Sequence, residues 1–336
     1  MAVLVTGGAG YIGSHMVLAL CDNEQDVVVL DNMTTGVRAN VDERAVFVFG
    51  DIEDKSLVSR ILKEHQIDAV VHFAGSIVVP ESVTDPLGYY ANNTAKTRNL
   101  LETCVESNIK NFIFSSTAAV YGAPRENPVF ENAVLEPISP YGRSKLMTEW
   151  MLQDTAFAHD FNYVALRYFN VAGADPQGRS GQSTPKATHL IKVAAEVATG
   201  QRPYMEIYGK DYDTPDGTCI RDYIHISDLI DAHLRALKYL RDGGISVQLN
   251  CGYGKGYSVL DVISAVVRAH GQNFDVREAK RRAGDPPELI AGADKIRSVL
   301  GWKPQFADID QIVGDAFRWE RKIANERANE NKVVGL

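Results

Sequence analysis

Short apolar runs alternate with amphipathic helical patterns along the first half of the chain. Each run has the length of a buried strand in a parallel sheet. The runs occupy residues 2–5, 27–30, 46–49, 69–73, 112–114 and 163–167. This alternation continues to about residue 170, and it predicts an α/β fold with a doubly wound parallel sheet.

Two of the predicted helices are long. One covers residues 87–107, and the other covers residues 139–159, with Ser139 as the N-cap and Pro140 at the first helical position. Because each helix is long enough to present a second apolar face, we predict a homodimer formed through these two helices.

The second half of the chain has a mixed pattern. Residues 171–188 are rich in Gly, Pro, Ser and Thr and predict a crossing loop. Helical patterns follow at residues 189–199, 227–240, 259–270 and from 309, with a strand at 247–250. We therefore predict one domain over residues 1–170 and a smaller α/β domain over 171–336, some segments of which return to the first domain.

A glycine-rich turn joins the first predicted strand to the helix that begins at Tyr11. Gly8, Gly10 and Gly13 fit the G-x-G-x-x-G pattern, in which the backbone approaches a pyrophosphate at a helix N-terminus. Asp31 ends the second strand, eighteen residues after Gly13. An acid there binds ribose hydroxyls and repels a 2′-phosphate, so the predicted cofactor is NAD rather than NADP.

Polar residues also follow other predicted strands, where ligands bind in open α/β sheets. Asp51 follows the third strand, and two interpretations stay open for it. Asp51 either binds adenine, with Ile52 packed on the base, or forms the N-cap of a helix. Thr117 follows the strand at residues 112–114.

A tyrosine and a lysine stand one helical turn apart in the segment SPYGRSK. Tyr141 and Lys145 have the i, i+4 spacing that places both side chains on one helix face. A nearby ammonium favours the phenolate, so we expect the pKa of Tyr141 to lie below its usual value of about 10. Such a phenol can act as a base toward a sugar or alcohol hydroxyl near neutral pH.

Composition narrows the choice of partners. The 336 residues include 35 Lys and Arg and 43 Asp and Glu, which gives a net charge of −8. This acidic balance argues against a nucleic-acid or membrane surface, and no apolar stretch approaches the ~20 residues of a membrane helix. The four cysteines form no zinc pattern, so reduced thiols in a cytoplasmic protein and no metal site are expected.

The chain resembles the extended short-chain dehydrogenase/reductase family, and within it the UDP-glucose (UDP-galactose) 4-epimerases. The resemblance rests on ordered motifs that span nearly the whole chain: VTGGAGYIGSH, LDN, GDI, HFAG, ESV, NFIFSSTAAVYG, SPYGRSK, LRYFNVAGA, DGTCIRDYIH and RRAGD. It implies a Rossmann-type NAD-binding domain over residues 1–170 and a UDP-sugar-binding domain over 171–336. It also implies 4-epimerisation of UDP-glucose and UDP-galactose through a 4-keto sugar with tightly bound NAD.

The resemblance also implies roles for individual residues. Tyr141 is the implied catalytic base, Lys145 lowers its pKa and binds the nicotinamide ribose, and Thr117 binds the sugar 4-oxygen. The positions that match the cofactor site are Gly7, Gly10, Tyr11, Ile12, Gly13, Asp31, Asn32, Asp51, Ile52, Phe73, Ala74, Asn92, Tyr141, Lys145 and Phe169. Those that match the UDP-sugar site are Thr117, Tyr141, Asn170, Leu190, Tyr208, Arg221, Arg282, Asp285 and Leu289.

Other functions stay open at this point. A sugar-nucleotide 4,6-dehydratase needs an acid beside the Ser/Thr position, whereas Thr117 is followed by Ala118 and Ala119. An NAD-binding sensor without catalysis would not need Tyr141, Lys145 and Thr117 together. Leu289 resembles the position beside the sugar C2 substituent and is intermediate in size, so UDP-N-acetylhexosamines and UDP-pentoses are alternative substrates.

Overall fold

A seven-stranded sheet forms the centre of the protein. The computed structural model describes residues 2–184, 187–282 and 285–334. The strands of the sheet are β1 (Ala2–Thr6), β2 (Asp26–Asp31), β3 (Val46–Phe49), β4 (Ile67–His72), β5 (Asn111–Thr117), β6 (Asn162–Tyr168) and β10 (Val247–Cys251). They lie in the order β3-β2-β1-β4-β5-β6-β10, and every neighbouring pair is parallel. The predicted fold class is confirmed.

Both faces of this sheet are buried. Successive strand residues point to opposite faces, so Val3 and Val5 of β1 lie in one apolar layer and Leu4 lies in the other. The helices that cover the two faces are α1 (Tyr11–Asp22) and α8 (Ile226–Arg241) on the first, and α2 (Lys55–Glu64), α5 (Lys96–Glu106) and α6 (Pro140–Ala158) on the second. Two covered faces explain why the strands are continuous apolar runs.

The central strand β5 extends well beyond its predicted apolar run at residues 112–114. β5 continues to Thr117, and its last three residues pair with Leu166, Arg167 and Tyr168 of β6. The prediction placed the strand end after the last strongly apolar residue. The structure buries the polar residues that follow, so the strand continues to the edge where the predicted ligand residues stand.

The predicted long helix over residues 87–107 is helical but not uniform. It consists of α4 (Pro86–Tyr89), a π-helical segment (Tyr90–Ala95) and α5, and it follows a short helix α3 (Val79–Thr84). π-Helical turns inside α-helices occur frequently at functional sites. Here the wide turn carries Asn92 and Asn93.

The second half of the chain forms smaller sheets packed with helices. The strands are β7 (Asn170–Ala172), β8 (Met205–Tyr208), β9 (Ile220–His225), β11 (Gly256–Ser258), β12 (Val276–Ala279) and β13 (Glu288–Leu289). β9 pairs with β7, β11 and β13, and β8 pairs with β12. The helices are α7 (Leu190–Ala198), α9 (Val259–His270), α10 (Asp294–Leu300) and α11 (Ile309–Val334).

One strand of the second half returns to the central sheet. β10, predicted at residues 247–250, pairs with β6 at the sheet edge, and α8 packs on the first apolar layer. A returning segment of this kind is what the sequence predicts. The division into domains over residues 1–170 and 171–336 remains a prediction.

None of the helices within residues 2–184, 187–282 and 285–334 combines the length and the apolar character that crossing a bilayer requires.

Candidate active site

The glycine-rich turn between β1 and α1 is closely packed. Gly7 has φ +70°, and a Cβ there would lie 2.6 Å from the backbone nitrogen of Ala74. A Cβ at Gly13 would lie 2.2 Å from the carbonyl oxygen of Gly7. Gly10 is the N-cap of α1 and places no side chain over the first turn of the helix. The turn therefore fits a pyrophosphate at the α1 N-terminus.

Asp31 ends β2 beside this turn. One carboxylate oxygen accepts a hydrogen bond from the Ala9 backbone N–H at 2.9 Å, and the other accepts one from the Met33 N–H at 2.8 Å. Each carboxylate oxygen has a second lone pair for a ribose hydroxyl. The negative charge opposes a 2′-phosphate, so this end of the site fits NAD.

Asp51 lies beside Asn32 at the same edge of the sheet. Its carboxylate accepts hydrogen bonds from the Asn32 amide at 2.9 Å and from Lys96 Nζ at 2.8 Å. The N-cap of α2 is Asp54, whose carboxylate accepts from the Leu57 N–H at 2.9 Å. The interpretation of Asp51 as a helix cap is therefore wrong, and Asp51 remains a candidate for the adenine end of the cofactor.

The remaining predicted cofactor residues are largely sheltered from solvent. The Phe73 ring lies 5.0 Å from the His233 ring, and Asn92 donates to Ser76 Oγ at 2.9 Å. Ile52 is buried, and Ile12, Ala74 and Phe169 are partly buried. Their contacts with a cofactor stay predictions.

The proposed catalytic side chains converge at the end of β5. Ser139 caps α6 by accepting a hydrogen bond from the Gly142 N–H at 3.1 Å, as predicted, and this fixes the first turn that carries Tyr141. The Thr117 hydroxyl, on the last residue of β5, lies next to the Tyr141 phenol. Lys145 stands one turn further along α6, where it is only 3% exposed.

The electrostatics of this group differ from the sequence prediction. Burial of the hydroxyl raises the pKa of Tyr141, while the neighbouring Thr117 hydroxyl lowers it, and the net shift is upward. Burial also lowers the pKa of Lys145 to about 8. The predicted decrease in the pKa of Tyr141 is therefore wrong for the protein alone, because desolvation of the buried phenolate is the largest effect.

Sequence reasoning missed Asn93, which holds the catalytic helix in place. Its side-chain oxygen accepts from the Ser76 N–H at 2.7 Å, and its amide donates to the Ser76 carbonyl at 2.9 Å and to Ser144 Oγ at 3.1 Å. Asn93 thereby ties the loop after β4 to the residue before Lys145. Two successive asparagines in a helical pattern are the available signal, since asparagine is unfavourable in helix interiors.

The predicted substrate residues form two pairs in the second half. Arg221 on β9 lies 3.6 Å from the Asp285 carboxylate, and the Arg282 guanidinium lies 3.8 Å above the Tyr208 ring centre. Ala283 and Gly284 of the RRAGD motif lie outside the described residues, as do Pro185 and Lys186 of the predicted crossing loop. An arginine pair beside a tyrosine and an acid suits a nucleoside diphosphate.

The other predicted substrate residues lie on β7, α7 and β13. Asn170 and Leu190 line one cavity together with His189 and Tyr223. Leu289 of β13 packs with Phe169 against the apolar cluster that follows Thr117. A side chain at position 289 therefore lies close to the predicted sugar site.

The crossing loop connects the two halves through α1. The Tyr11 hydroxyl donates to the Gly173 carbonyl at 2.7 Å, and the Ser14 and Ser180 hydroxyls share a hydrogen bond at 3.0 Å. Arg179 forms an ion pair with Asp22 at 2.8 Å. The predicted cofactor helix and the predicted substrate half are thus held together by specific contacts.

Comparison with known proteins agrees with this geometry. A model of the NAD dependent epimerase/dehydratase family matches residues 3–252. The UDP-glucose 4-epimerase of Azospirillum brasilense is 56% identical over 321 residues, covering 96% of this chain and 92% of that protein. The structure of UDP-glucose 4-epimerase from Brucella ovis in complex with NAD has a TM-score of 0.93 at 43% identity and covers 95% of this chain and 98% of that one.

A third similar protein is the UDP-Glc/GlcNAc 4-epimerase from Campylobacter jejuni. Its structure has a TM-score of 0.84 at 47% identity and covers 96% of this chain and 99% of that one. The family model and these relatives extend over most of the chain, including Thr117, Tyr141 and Lys145. The chain therefore belongs to the NAD dependent epimerase/dehydratase family.

Proposed function

We propose that the protein is a UDP-glucose 4-epimerase that interconverts UDP-glucose and UDP-galactose through a 4-keto sugar, with NAD as a tightly bound cofactor. One observation carries this proposal. The Thr117 hydroxyl lies next to the Tyr141 phenol at the end of β5, and Lys145, one turn away on α6, donates to the Ser115 carbonyl of the same strand. The curated relatives support the same activity.

The chain supplies the acid–base part of the reaction. Bound NAD would supply the hydride acceptor and donor for C4 of the hexose. Tyr141 removes the proton from the 4-hydroxyl and later returns it, while Thr117 orients the sugar oxygen. Because no net oxidation occurs, one cofactor molecule serves successive turnovers.

The substrate half is suited to holding the nucleotide rather than the sugar. Arg221 and Arg282 carry donors that match diphosphate oxygens, Tyr208 offers a ring to uracil, and Asp285 accepts from ribose hydroxyls. Firm binding of the uridine diphosphate leaves the hexose free to turn over between the two hydride transfers.

A direct assay tests the proposed activity. The purified protein, with no added NAD, should convert UDP-galactose to UDP-glucose, detected by chromatography of the nucleotide sugars. Appearance of a 4-keto-6-deoxy sugar would instead identify a dehydratase. Absence of any conversion of UDP-sugars by the NAD-loaded protein would refute the proposal.

UDP-N-acetylhexosamines are a second class of substrate. Leu289 packs beside the predicted sugar site and is smaller than an aromatic residue. The similar protein from Campylobacter jejuni is a UDP-Glc/GlcNAc 4-epimerase. Comparing kcat/KM for UDP-galactose, UDP-GlcNAc and UDP-xylose on the same enzyme measures this preference.

We assign the protein to galactose metabolism in the cytoplasm as part of the proposal.

Asp31→Asn should change the choice of cofactor. The substitution removes the charge opposing a 2′-phosphate, so the ratio of NAD to NADP affinity should fall by about tenfold or more. Fluorescence titration of the cofactor-free protein with each dinucleotide measures this ratio. Asp51→Asn is the control, since the Asp51 carboxylate accepts from Asn32 and Lys96 and is expected to face the adenine rather than the ribose 2′ position, so the ratio should stay unchanged. An unchanged ratio in Asp31→Asn would refute the assignment.

A homodimer through the long helices is also proposed. Leu87 is 77% exposed, and Trp150 and Phe157 on α6 are 54% and 95% exposed. Large exposed apolar side chains on adjacent helices indicate an interaction surface. Light scattering should give twice the chain mass of 37.0 kDa.

The double variant Trp150→Asp/Phe157→Asp should shift the mass to that of a single chain. Ile245→Asp, at a residue 74% exposed outside these helices, should not change the mass. A single-chain mass for the unmodified protein would contradict the dimer.

A further inference from the structure

A second phenol stands beside the catalytic pair. Tyr168 is the last residue of β6, 8% exposed, and lies opposite Thr117 in the parallel register. Its hydroxyl hydrogen-bonds with Ser115 Oγ, two residues back along β5. The Tyr168 phenol thus contacts Ser115, the residue to which Lys145 is hydrogen-bonded.

Ser115 provides the carbonyl that accepts a hydrogen bond from Lys145. Lys145 Nζ donates to the Ser115 carbonyl at 3.0 Å and lies 5.0 Å from the centre of the Phe114 ring. A buried ammonium is costly unless it is hydrogen-bonded, so the charge on Lys145 depends on this carbonyl. Ser115 is therefore held by Tyr168 through its side chain and by Lys145 through its backbone.

We infer that Tyr168 is a positioning residue for the epimerase reaction. By holding Ser115, it keeps the Ser115 carbonyl directed at Lys145 and so maintains the ammonium that stabilises the Tyr141 phenolate. This inference rests on the proposed function, in which Tyr141 is the base. Tyr168 itself stays protonated, because burial and the nearby Tyr141 raise its pKa.

Several other ionisable groups lie near Tyr168 and Ser115. They are Tyr141 on α6, His72 on β4, His233 on α8 and Cys251 on β10. Burial lowers the pKa of His72 to about 3 and of His233 to about 4, and it raises the pKa of Cys251 well above its usual value. The adjacent charges of Arg167 and Glu149 compensate one another in a buried ion pair at 2.5 Å. Lys145, whose pKa is lowered to about 8, is therefore the group of this set that titrates nearest to neutral pH.

The substitution Tyr168→Phe tests the inference. It removes one hydroxyl and keeps the ring that packs near His233. Initial rates of UDP-galactose conversion by the NAD-loaded enzyme should fall about tenfold near pH 7. Loss of the held ammonium disfavours the phenolate, so the acidic limb of the kcat profile should move to higher pH. The deficit should be larger at about pH 6 than at about pH 9, while KM changes little.

A matched control lies on the same strand. Tyr163 is 2% exposed, and its hydroxyl accepts a hydrogen bond from Gln248, away from the catalytic group. Tyr163→Phe should leave the pH profile in place. A deficit in Tyr168→Phe that is the same at every pH, or no deficit, would overturn the inference.

A double-mutant cycle separates a path through Ser115 from a general effect on the fold. Ser115→Ala should reproduce the shifted profile, and the double variant with Tyr168→Phe should be no worse than either single variant. Additive losses would overturn the inference, and Ser115→Ala alone still tests it if Tyr168→Phe fails to fold. Lack of epimerase activity in the unmodified enzyme would refute the proposed function instead.

Discussion

Tyr141→Phe is expected to lower kcat for UDP-galactose conversion by about 10²–10⁴-fold, the usual contribution of a positioned acid or base. Phenylalanine preserves the ring but removes the oxygen that lies next to Thr117 and is proposed to take the sugar proton. A coupled assay of UDP-glucose formation measures the change in kcat.

Binding should be nearly unaffected by this substitution. In the proposed function the pairs Arg221–Asp285 and Arg282–Tyr208 hold the uridine diphosphate, so the Kd for UDP should stay close to that of the unmodified protein. Tyr239→Phe, which removes a hydroxyl bonded to the Ile245 carbonyl at an exposed site, is the control. A kcat for Tyr141→Phe within about threefold of the unmodified enzyme would show that another group is the base.

Lys145→Met is expected to lower kcat by about 10–10³-fold near neutral pH, since loss of a nearby opposite charge raises a pKa by about 1–3 units. Methionine fills the same buried space without the ammonium. Burial raises the pKa of Tyr141, so the phenolate depends strongly on any remaining positive charge. The variant should therefore need a higher pH to reach its maximum rate.

The effect of Lys145→Met on kcat should depend on pH. The pKa of Lys145 is lowered to about 8, so the unmodified enzyme itself loses the ammonium above that pH. The ratio of the two rates should be greatest at low pH and should shrink as pH rises past about 8. Lys110→Met, which breaks the exposed pair with Asp160, should behave like the unmodified enzyme. A ratio that does not vary with pH would contradict an electrostatic role for Lys145.

Much of the first half of the fold can be predicted because its evidence is local. Continuous apolar runs indicate strands covered on both faces, and Ser139 followed by Pro140 marks the start of α6. The two open interpretations of Asp51 are also local in origin. Asp51 and Asp54 both precede a helical pattern, and only the backbone path shows that Asp54 caps the helix.

The remaining features depend on contacts between distant segments. The return of β10 to the central sheet and the pairing of Arg221 with Asp285 join residues that no spacing pattern connects. The direction of the Tyr141 pKa shift was missed for a related reason. The i, i+4 spacing shows that an ammonium is near, but it does not show how deeply the phenol and the ammonium are buried.

Some features are properties of short segments, so the order of residues alone determines them. They are the glycine turn after β1, Asp31 at the end of β2 and the Tyr141–Lys145 spacing. Packing of β5 against β6 and α6 places Thr117 on the phenol, ties Lys145 to Ser115, and brings Tyr168 to the same group. Desolvation and hydrogen bonding act through space, and therefore the ionisation of the catalytic pair follows from the folded arrangement and not from spacing.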